Sequence, residues 1–498
     1  MGRSVSIQLD RDSALPLYLQ LGQALIRQIE AGKLRPNDQL PTIRRLAREL
    51  AVNPVTVVSA YRLLEEKGYV TARVGSGTYV NPLAPWREGR RVGRERLVPS
   101  GEGEELLAEV QGETDGGQYD LASASIPPEL FPVESFRAAL NEVLQRDGGH
   151  AFSYQGTMGY LPLRQTIRSF IAEEYGIEAE EQEIHVVSGA QQGIDIIART
   201  LLDLQDVVGV ESPTYPGAAD AFRARGARIM ELPMADDGPD LDEVEARLRS
   251  RPPRLVYVMP HFQNPTGISY SLEKKRALLD LAGAHGFLIV EDDSMNDLYY
   301  REKPVPLKAL DRSGRVIYIK SFSKVFMPGL RLGFVVAPAA LGRRLAETKQ
   351  YTDITSSGLT QRALDLILRQ GLLTSHLQEI RQLYSARWEM VKSALARHLP
   401  REVRYTSPDG GLLFWASLPE GFYSMHLYGE AHKRGLRLVP GDFFYPDRRP
   451  VAGFRLSYAR LAPGQIDQAI QELAEAIDEL IAGYPVDPWR GGRERFWL

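Results

Sequence analysis

Apolar residues recur along this chain at two different periods, and the change of period marks how it is organised. In "PLYLQLGQALIRQIEAGKL", Leu21, Leu25 and Ile29 stand four apart, on one face of a helix. After the polar turn "RPNDQLP" a second short helix is expected over "TIRRLAREL", and after "AVN" a third over "PVTVVSAYRLLEEKG". Asn53 is placed to cap that third helix, and Pro54 suits its first position. "YVTARVGSGTYV" then reads as a β-hairpin with Arg73, Gly75 and Gly77 at its tip. From about Tyr119 the pattern changes. Short apolar runs ("IHVVSG", "VVGVES", "RLVYVMP", "FLIVEDD", "RVIYIKS", "LGFVVAP") alternate with amphipathic helices, which predicts an α/β domain with a mostly parallel sheet. Residues 81–118 are charged and Gly-rich without apolar periodicity, and read as a linker.

Length agrees with this division, since 498 residues exceed one ordinary core. The expected domains are a head over 1–80, the linker over 81–118, a body over 119–484 whose smaller subdomain spans about 375–484, and a tail over 485–498. A composition of 43% hydrophobic and 25% charged residues is that of a globular protein. No run of eighteen apolar residues occurs and "MGRSVSIQLD" has no apolar signal core, so a cytoplasmic chain with no membrane partner is expected. The absence of cysteine rules out disulfides and thiolate metal sites, and no metal site is predicted. The net charge of −4 hides an asymmetry: residues 1–100 carry +7, leaving −11 for the rest. A basic head suits a polyanion, although a merely solvated basic surface gives the same count.

Two short helices joined by a tight turn form a helix-turn-helix, and the hairpin adds a wing. In such modules the helix after the turn enters the major groove and presents its N-terminal side chains to base edges, here Asn53, Thr56 and Ser59. Arg44, Arg45, Arg48 and, on the hairpin with Gly75, Arg73 are candidates for phosphate contacts. The competing reading is a small helical domain docked on the body, with solvated arginines. The residues themselves decide. "PLYxQL", "LPTxRxLAxxLxVNxxTVxxAYxxLxxxGYV" and "GSGTYV" closely resemble the GntR-type winged helix over residues 15–80. That resemblance implies sequence-specific binding of a double-stranded DNA operator by a dimer. Many members carry Ser/Thr-Arg where this chain has Asn53-Pro54, which implies that one expected phosphate or base contact is missing and that the operator differs.

In the body, "YIKSFSKVFMPGLRLGF" places Lys324 after a strand and two serines. A lysine there is ordinarily a snorkelling surface residue. Its neighbours point elsewhere: Ser321, Ser323 and Arg331 together suit phosphate oxygens. A second anion site is expected at "VVSGAQQGI", where a strand ends at Ser188-Gly189 and a helix begins. A primary amine beside a phosphate cradle is what pyridoxal 5′-phosphate requires for its Schiff base; a nucleotide phosphate fits the cradle but leaves the lysine unexplained. At the end of "FLIVEDD", Asp292, with Asp293 beside it, is a candidate partner for a protonated pyridine nitrogen. Adjacent acids at a strand end are also ordinary solvated caps. Asn264 in "FQNPTG" is placed to donate to the ring's phenolate, and Tyr215 in "ESPTYPGA" to stack on the ring.

"SGAQQG", "PTYPG", "NPTG", "VEDD" and "SFSKVFMPGLRLG", in this order, resemble the fold-type-I pyridoxal-phosphate aminotransferases over about residues 119–480. The resemblance implies Lys324 as the Schiff-base lysine and Asp292 as pyridine partner, both catalytic. It implies Asn264 at the ring hydroxyl, Tyr215 on the ring, and Gly189, Ala190, Gln191, Ser321, Ser323 and Arg331 at the phosphate. Arg455 of "GFRLSYA" matches the arginine that holds a substrate or effector carboxylate. Tyr154 of "FSYQGTMGY" matches the tyrosine that reaches the partner subunit's phosphate, which implies a homodimer. The tyrosine usual two or three residues beyond the aspartate is replaced by Ser294 and Met295. A winged helix, a linker and this body in one chain resemble the MocR/GabR subfamily of GntR-type regulators. The function implied is a pyridoxal-phosphate-dependent transcription factor sensing a small amine, an amino acid or the cofactor itself. The alternative is a working aminotransferase carrying a winged-helix head, which "FQNPTG" favours.

Overall fold

The computed structural model describes residues 17–30, 34, 38–50, 52–66, 69–73, 77–80 and 118–483. They belong to two compact units, Met1–Pro99 and Ser100–Leu498. The expected linker, apart from Gln118, and the expected tail lie outside the described residues.

The first unit runs α1 (Leu17–Glu30), α2 (Ile43–Glu49), α3 (Pro54–Glu66), β1 (Val70–Arg73), β2 (Gly77–Val80). The four-residue period of α1 is the reason it packs: Leu21, Leu25 and Ile29 are fully buried together with Val57, Ala60 and Leu64 of α3. Each of these Leu, Ile and Val side chains contributes about 1.5–3 kcal/mol by leaving water. β1 and β2 pair antiparallel from Val70↔Val80 to Arg73↔Gly77. Two backbone bonds, Leu40 N–H to Thr78 (2.8 Å) and Val80 N–H to Asp38 (2.9 Å), anchor the hairpin to the segment before α2. The Tyr61 hydroxyl donates to the Pro41 carbonyl at 2.6 Å, so α3 is fixed to the same segment. The unit is a winged helix-turn-helix.

The second unit is built on an eight-stranded sheet. Its strands are β3 (Ile184–Val187), β4 (Val207–Ser212), β5 (Arg228–Ala235), β6 (Gly238–Pro239), β7 (Leu255–Val258), β8 (Leu288–Asp292), β9 (Val316–Ser321) and β10 (Gly333–Val336). They lie in the order β3-β10-β9-β8-β7-β4-β5-β6, and only β10 and β6 run antiparallel to their neighbours. The apolar runs are continuous because helices cover both faces. In β9 and β10, Tyr318 and Phe334 enter one core while Ile317, Ile319 and Val335 enter the other. A smaller antiparallel sheet follows: β11 (Arg404–Tyr405), β12 (Leu413–Ser417), β13 (Val439–Pro440) and β14 (Gly453–Ser457), ordered β11-β12-β14-β13. Arg455 sits mid-β14, paired with Trp415 and Val439. This is the fold-type-I aminotransferase architecture: a mostly parallel α/β sheet with a small α+β subdomain. No helix among the described residues is long and apolar enough to cross a membrane.

Candidate functional site at the carboxyl ends of the parallel strands

Five strands deliver the expected residues to one end of the sheet. Gly189 follows β3, Tyr215 follows β4, Asn264 follows β7, Asp292 ends β8, and Ser321, Ser323 and Lys324 end or follow β9. The carboxyl ends of parallel strands are where α/β sheets bind ligands. A cleft of about 260 Å³ lined by Gln205, Arg251, Arg254 and His285 lies instead where β4, β7 and β8 begin, away from these residues.

Lys324 is half-buried, and among the described residues its amine has neither a hydrogen-bond nor an ion-pair partner. Burial pushes the ammonium down to about 8, aided by Arg455 and Arg331 and opposed by Asp292. Those three charges therefore face the lysine. Asp292 is buried; its carboxylate accepts from the Tyr257 hydroxyl (2.8 Å) and from Ser294. Burial raises its pKa against these two donors, and no cation among the described residues lies within ion-pair distance. A buried carboxylate in that state favours a protonated nitrogen opposite it.

Asp293 turns the other way, as strand-end neighbours must. It accepts from His261 Nδ1 (2.7 Å), the Tyr318 hydroxyl (2.9 Å) and Asn296 (2.5 Å). Lys275 Nζ stands 2.8 Å from His261 Nε2, so an ammonium fills the space beside the buried group His261, Glu291 and Asp293. Of the two adjacent acids, only Asp292 faces the site.

The residues of the expected anion cradle also lie together. Gly189 caps the helix α4 (Ala190–Leu201) at φ 89°, and a Cβ there would stand 2.8 Å from the Arg331 guanidinium. Only glycine permits both that backbone and that approach. Arg331 donates to the Ser188 carbonyl (2.8 Å) and approaches Ser323 Oγ at 3.5 Å; the Ser323 N–H donates to Ser321 Oγ (3.2 Å). The first N–H groups of α4, from Ala190 and Gln191, have no partner within the helix. Gln191 accepts from the Tyr215 hydroxyl at 3.1 Å, which joins the cradle to the ring-stacking candidate.

Arg455 is buried, donates to Asn264 Oδ1 (3.0 Å) and to the Ala122 carbonyl, and lies 5.0 Å from the Phe444 ring centre. Its Nε has no partner, and burial lowers its pKa to about 10. An incompletely satisfied buried guanidinium is a receptor for a carboxylate. Tyr154 joins none of these groups; it is 83% exposed. Sequence reasoning missed Tyr257 and the Ala122 carbonyl. The run "RLVYVMP" does contain the tyrosine, but an apolar strand hides which way a phenol points.

On the winged helix, Arg45, Arg48 and Asn53 are exposed, and Thr56 and Ser59 are half-buried. Arg45 Nε pairs with Glu49 at 2.8 Å across one exposed helical turn. The side chains of Arg44 and Arg73, and Gly75 altogether, lie outside the described residues.

Residues 117–473 match the family described as aminotransferase class I and II, and residues 17–80 the bacterial regulatory proteins of the gntR family. The probable rhizopine catabolism regulatory protein MocR of Rhizobium meliloti is 31% identical over 474 residues, covering 94% of this chain and 95% of that protein. The 2-aminoadipate transaminase of Thermus thermophilus is 36% identical over 370 residues, covering 74% of this chain and 91% of the enzyme. Among solved structures, the multiple substrate aminotransferase of Thermococcus profundus superposes with a TM-score of 0.73 at 33% identity, over 78% of this chain and 97% of that one. LysN of Thermus thermophilus, solved with N-(5′-phosphopyridoxyl)-L-leucine, gives a TM-score of 0.70 at 34% identity, over 78% and 97%. With a gntR head and an aminotransferase body in one polypeptide, matched over 94% of its length by MocR, the chain belongs to the MocR/GabR subfamily of GntR-type proteins.

Proposed function

We propose that this protein is a pyridoxal-phosphate-dependent transcriptional regulator whose body senses a small amine or amino acid and whose winged helix binds operator DNA. One observation carries this reading. Relatives bearing regulator names align over 93–94% of the chain, head included, whereas the transaminase alignment covers 74%.

The site fits the cofactor on three counts: an unpartnered amine at Lys324, a buried carboxylate without a cation at Asp292, and a cradle at Gly189 that admits no side chain. When bound, pyridoxal 5′-phosphate supplies an aldehyde that condenses with primary amines and a ring that withdraws electrons. Lys324 is the covalent attachment point. Asp292 holds a proton on the ring nitrogen, Asn264 holds the ring oxygen, and Tyr215 covers the ring. Gly189, Ala190, Gln191, Ser321, Ser323 and Arg331 hold the phosphate. Tyr154 serves the site of a second subunit, which accounts for its exposure. Arg455 takes the effector's carboxylate and leaves the effector's amine to compete with Lys324. A Lys324 amine left free by that competition would be able to take up a proton, which would change the charge in the site. An effector shifts the DNA-binding state only by the difference between its affinities for the two states. Paired heads of a dimer address two half-sites, where Asn53, Thr56 and Ser59 meet base edges, and Arg44, Arg45, Arg48 and Arg73 meet phosphates beside the hairpin tip at Gly75.

Titration of the holoprotein with a panel of amino acids, read by both absorbance and operator binding, tests the reading. For an active amino acid both signals should move together. In Arg455→Gln the required concentration should rise roughly 10–100-fold, the worth of a charge-assisted bidentate contact. A spectral response that leaves operator binding unchanged across the panel would overturn the sensor. Rapid multiple turnover with a keto acid would establish the second reading, an aminotransferase, which the convergence of Asn264, Asp292, Lys324 and Arg455 also supports.

The amine at Lys324 gives a pH prediction. Its pKa is depressed from the ordinary lysine value to about 8, so the reactive free base is scarce below that pH and saturates above it. Uptake of pyridoxal 5′-phosphate by the apoprotein should accelerate about tenfold per pH unit below that value and level off beyond it. Stopped-flow absorbance measures this; a rate still climbing near the normal lysine pKa contradicts the geometry.

A further inference from the structure

Behind the anion cradle lies a partly buried network that none of the roles above uses. Ser188 has both backbone groups engaged: its N–H donates to Gln192 Oε1 (2.6 Å), and its carbonyl accepts from Arg331 (2.8 Å). The Gln192 amide nitrogen donates to Asp353 Oδ2 at 2.7 Å. Lys349 Nζ reaches both oxygens of that carboxylate, at 2.7 and 2.9 Å, and also Ser356 Oγ at 3.1 Å. Ser356 Oγ is in turn 3.1 Å from Ser188 Oγ. Lys349 is 1% exposed, in the helix Ala339–Thr352, and Asp353 caps that helix. Ile354 follows at φ 63°, a left-handed conformation that a β-branched residue adopts only when its surroundings impose it.

A carboxylate accepts and never donates, so Asp353 dictates which end of the Gln192 amide faces it. The NH₂ turns to Asp353, and the oxygen must then face Ser188. That removes the Ser188 N–H from the cradle and holds the Ser188 carbonyl where it aims Arg331. Lys349 pairs with both oxygens of that carboxylate and so fixes the Asp353 side chain at the end of its helix.

We propose that Asp353 and Lys349, acting through Gln192, are positioning residues that set the cradle for the cofactor's phosphate. The inference rests on the site reading under Proposed function. The strain at Ile354 fits it, since it places Asp353 at the junction of Lys349, Gln192 and Ser188.

The test separates the phosphate from the ring by comparing pyridoxal 5′-phosphate with pyridoxal, each titrated by absorbance into full-length apoprotein. Asp353→Asn can no longer dictate the amide orientation. Gln192→Leu removes both bonds while leaving the Lys349–Asp353 pair intact, so it remains informative if the first variant folds poorly. Both should weaken pyridoxal 5′-phosphate binding about tenfold or more, the scale of a small misplacement of binding groups, while pyridoxal affinity stays within about twofold. Lys349→Arg, which keeps the charge, should recover most of the phosphate preference. Equal weakening of both ligands would mean a general structural role and overturn the proposal. An undiminished phosphate preference in the variants would overturn it as well. A wild-type protein that takes up neither ligand would instead overturn the site reading itself.

Discussion

Lys324→Ala is expected to abolish covalent attachment of pyridoxal 5′-phosphate. Borohydride reduction followed by intact-mass measurement should give one adduct per wild-type chain and none in the variant. The expectation is absolute because no other described amine near β8 and β9 is free to substitute. Lys320 donates to the Asp293 carbonyl and Asn296 (both 3.0 Å) and pairs with Asp297 at 2.8 Å. Lys275 is bound to His261 and the Val305 carbonyl, and Lys349 to Asp353. The fold should survive. Among the described residues the Lys324 amine makes no hydrogen bond, and burial already disfavours its charge, so the melting temperature of the apo-variant should be unchanged or slightly higher. An adduct of wild-type yield in the variant would show that another group carries the cofactor and would remove the basis of the functional reading.

The second large effect is expected at Asp292. Replacing it with alanine leaves a cationic ring nitrogen facing the Tyr257 hydroxyl and Ser294 in a buried pocket. Removing one partner of a buried ion pair costs about 3–5 kcal/mol, so cofactor affinity should fall roughly 10²- to 4 × 10³-fold. Tyr257→Phe deletes one neutral donor and should cost about 1 kcal/mol. The pH dependence supplies a sign. In the free protein burial raises the Asp292 carboxyl above its ordinary value, and the bound cation draws it down again. The complex therefore binds fewer protons at this carboxyl than the free protein does, and affinity should weaken as pH falls through the raised carboxyl range. In Asp292→Ala that acid limb should vanish. Equilibrium absorbance titrations carried from neutral pH into the acid range measure both quantities. An alanine variant that keeps the wild-type affinity and the acid limb would place the ring nitrogen elsewhere.

What the sequence determined by itself is whatever depends on short range and on the ends of elements. The spacing of Leu21, Leu25 and Ile29 gave the buried face of the first helix. Apolar runs bounded by turns gave the six strands that carry or flank the site. Because a parallel sheet presents its ligands at strand ends, the residues just after those runs, from Gly189 to Lys324, were legible as a constellation before any contact was known.

Only the tertiary structure decided which polar group faces which. Asp292 and Asp293 are chemically alike and adjacent; pleating sends one to the site and the other to His261, 32 positions away. Tyr257 lies in a run that reads as pure core, and its hydroxyl finds Asp292 across 35 positions. Gln192 and Asp353 are 161 positions apart. A buried hydrogen bond is fixed by the direction of two side chains in a dry interior, and direction is set by the packing of distant elements. Periodicity records that a residue is inside; it carries no information on what that residue will meet there.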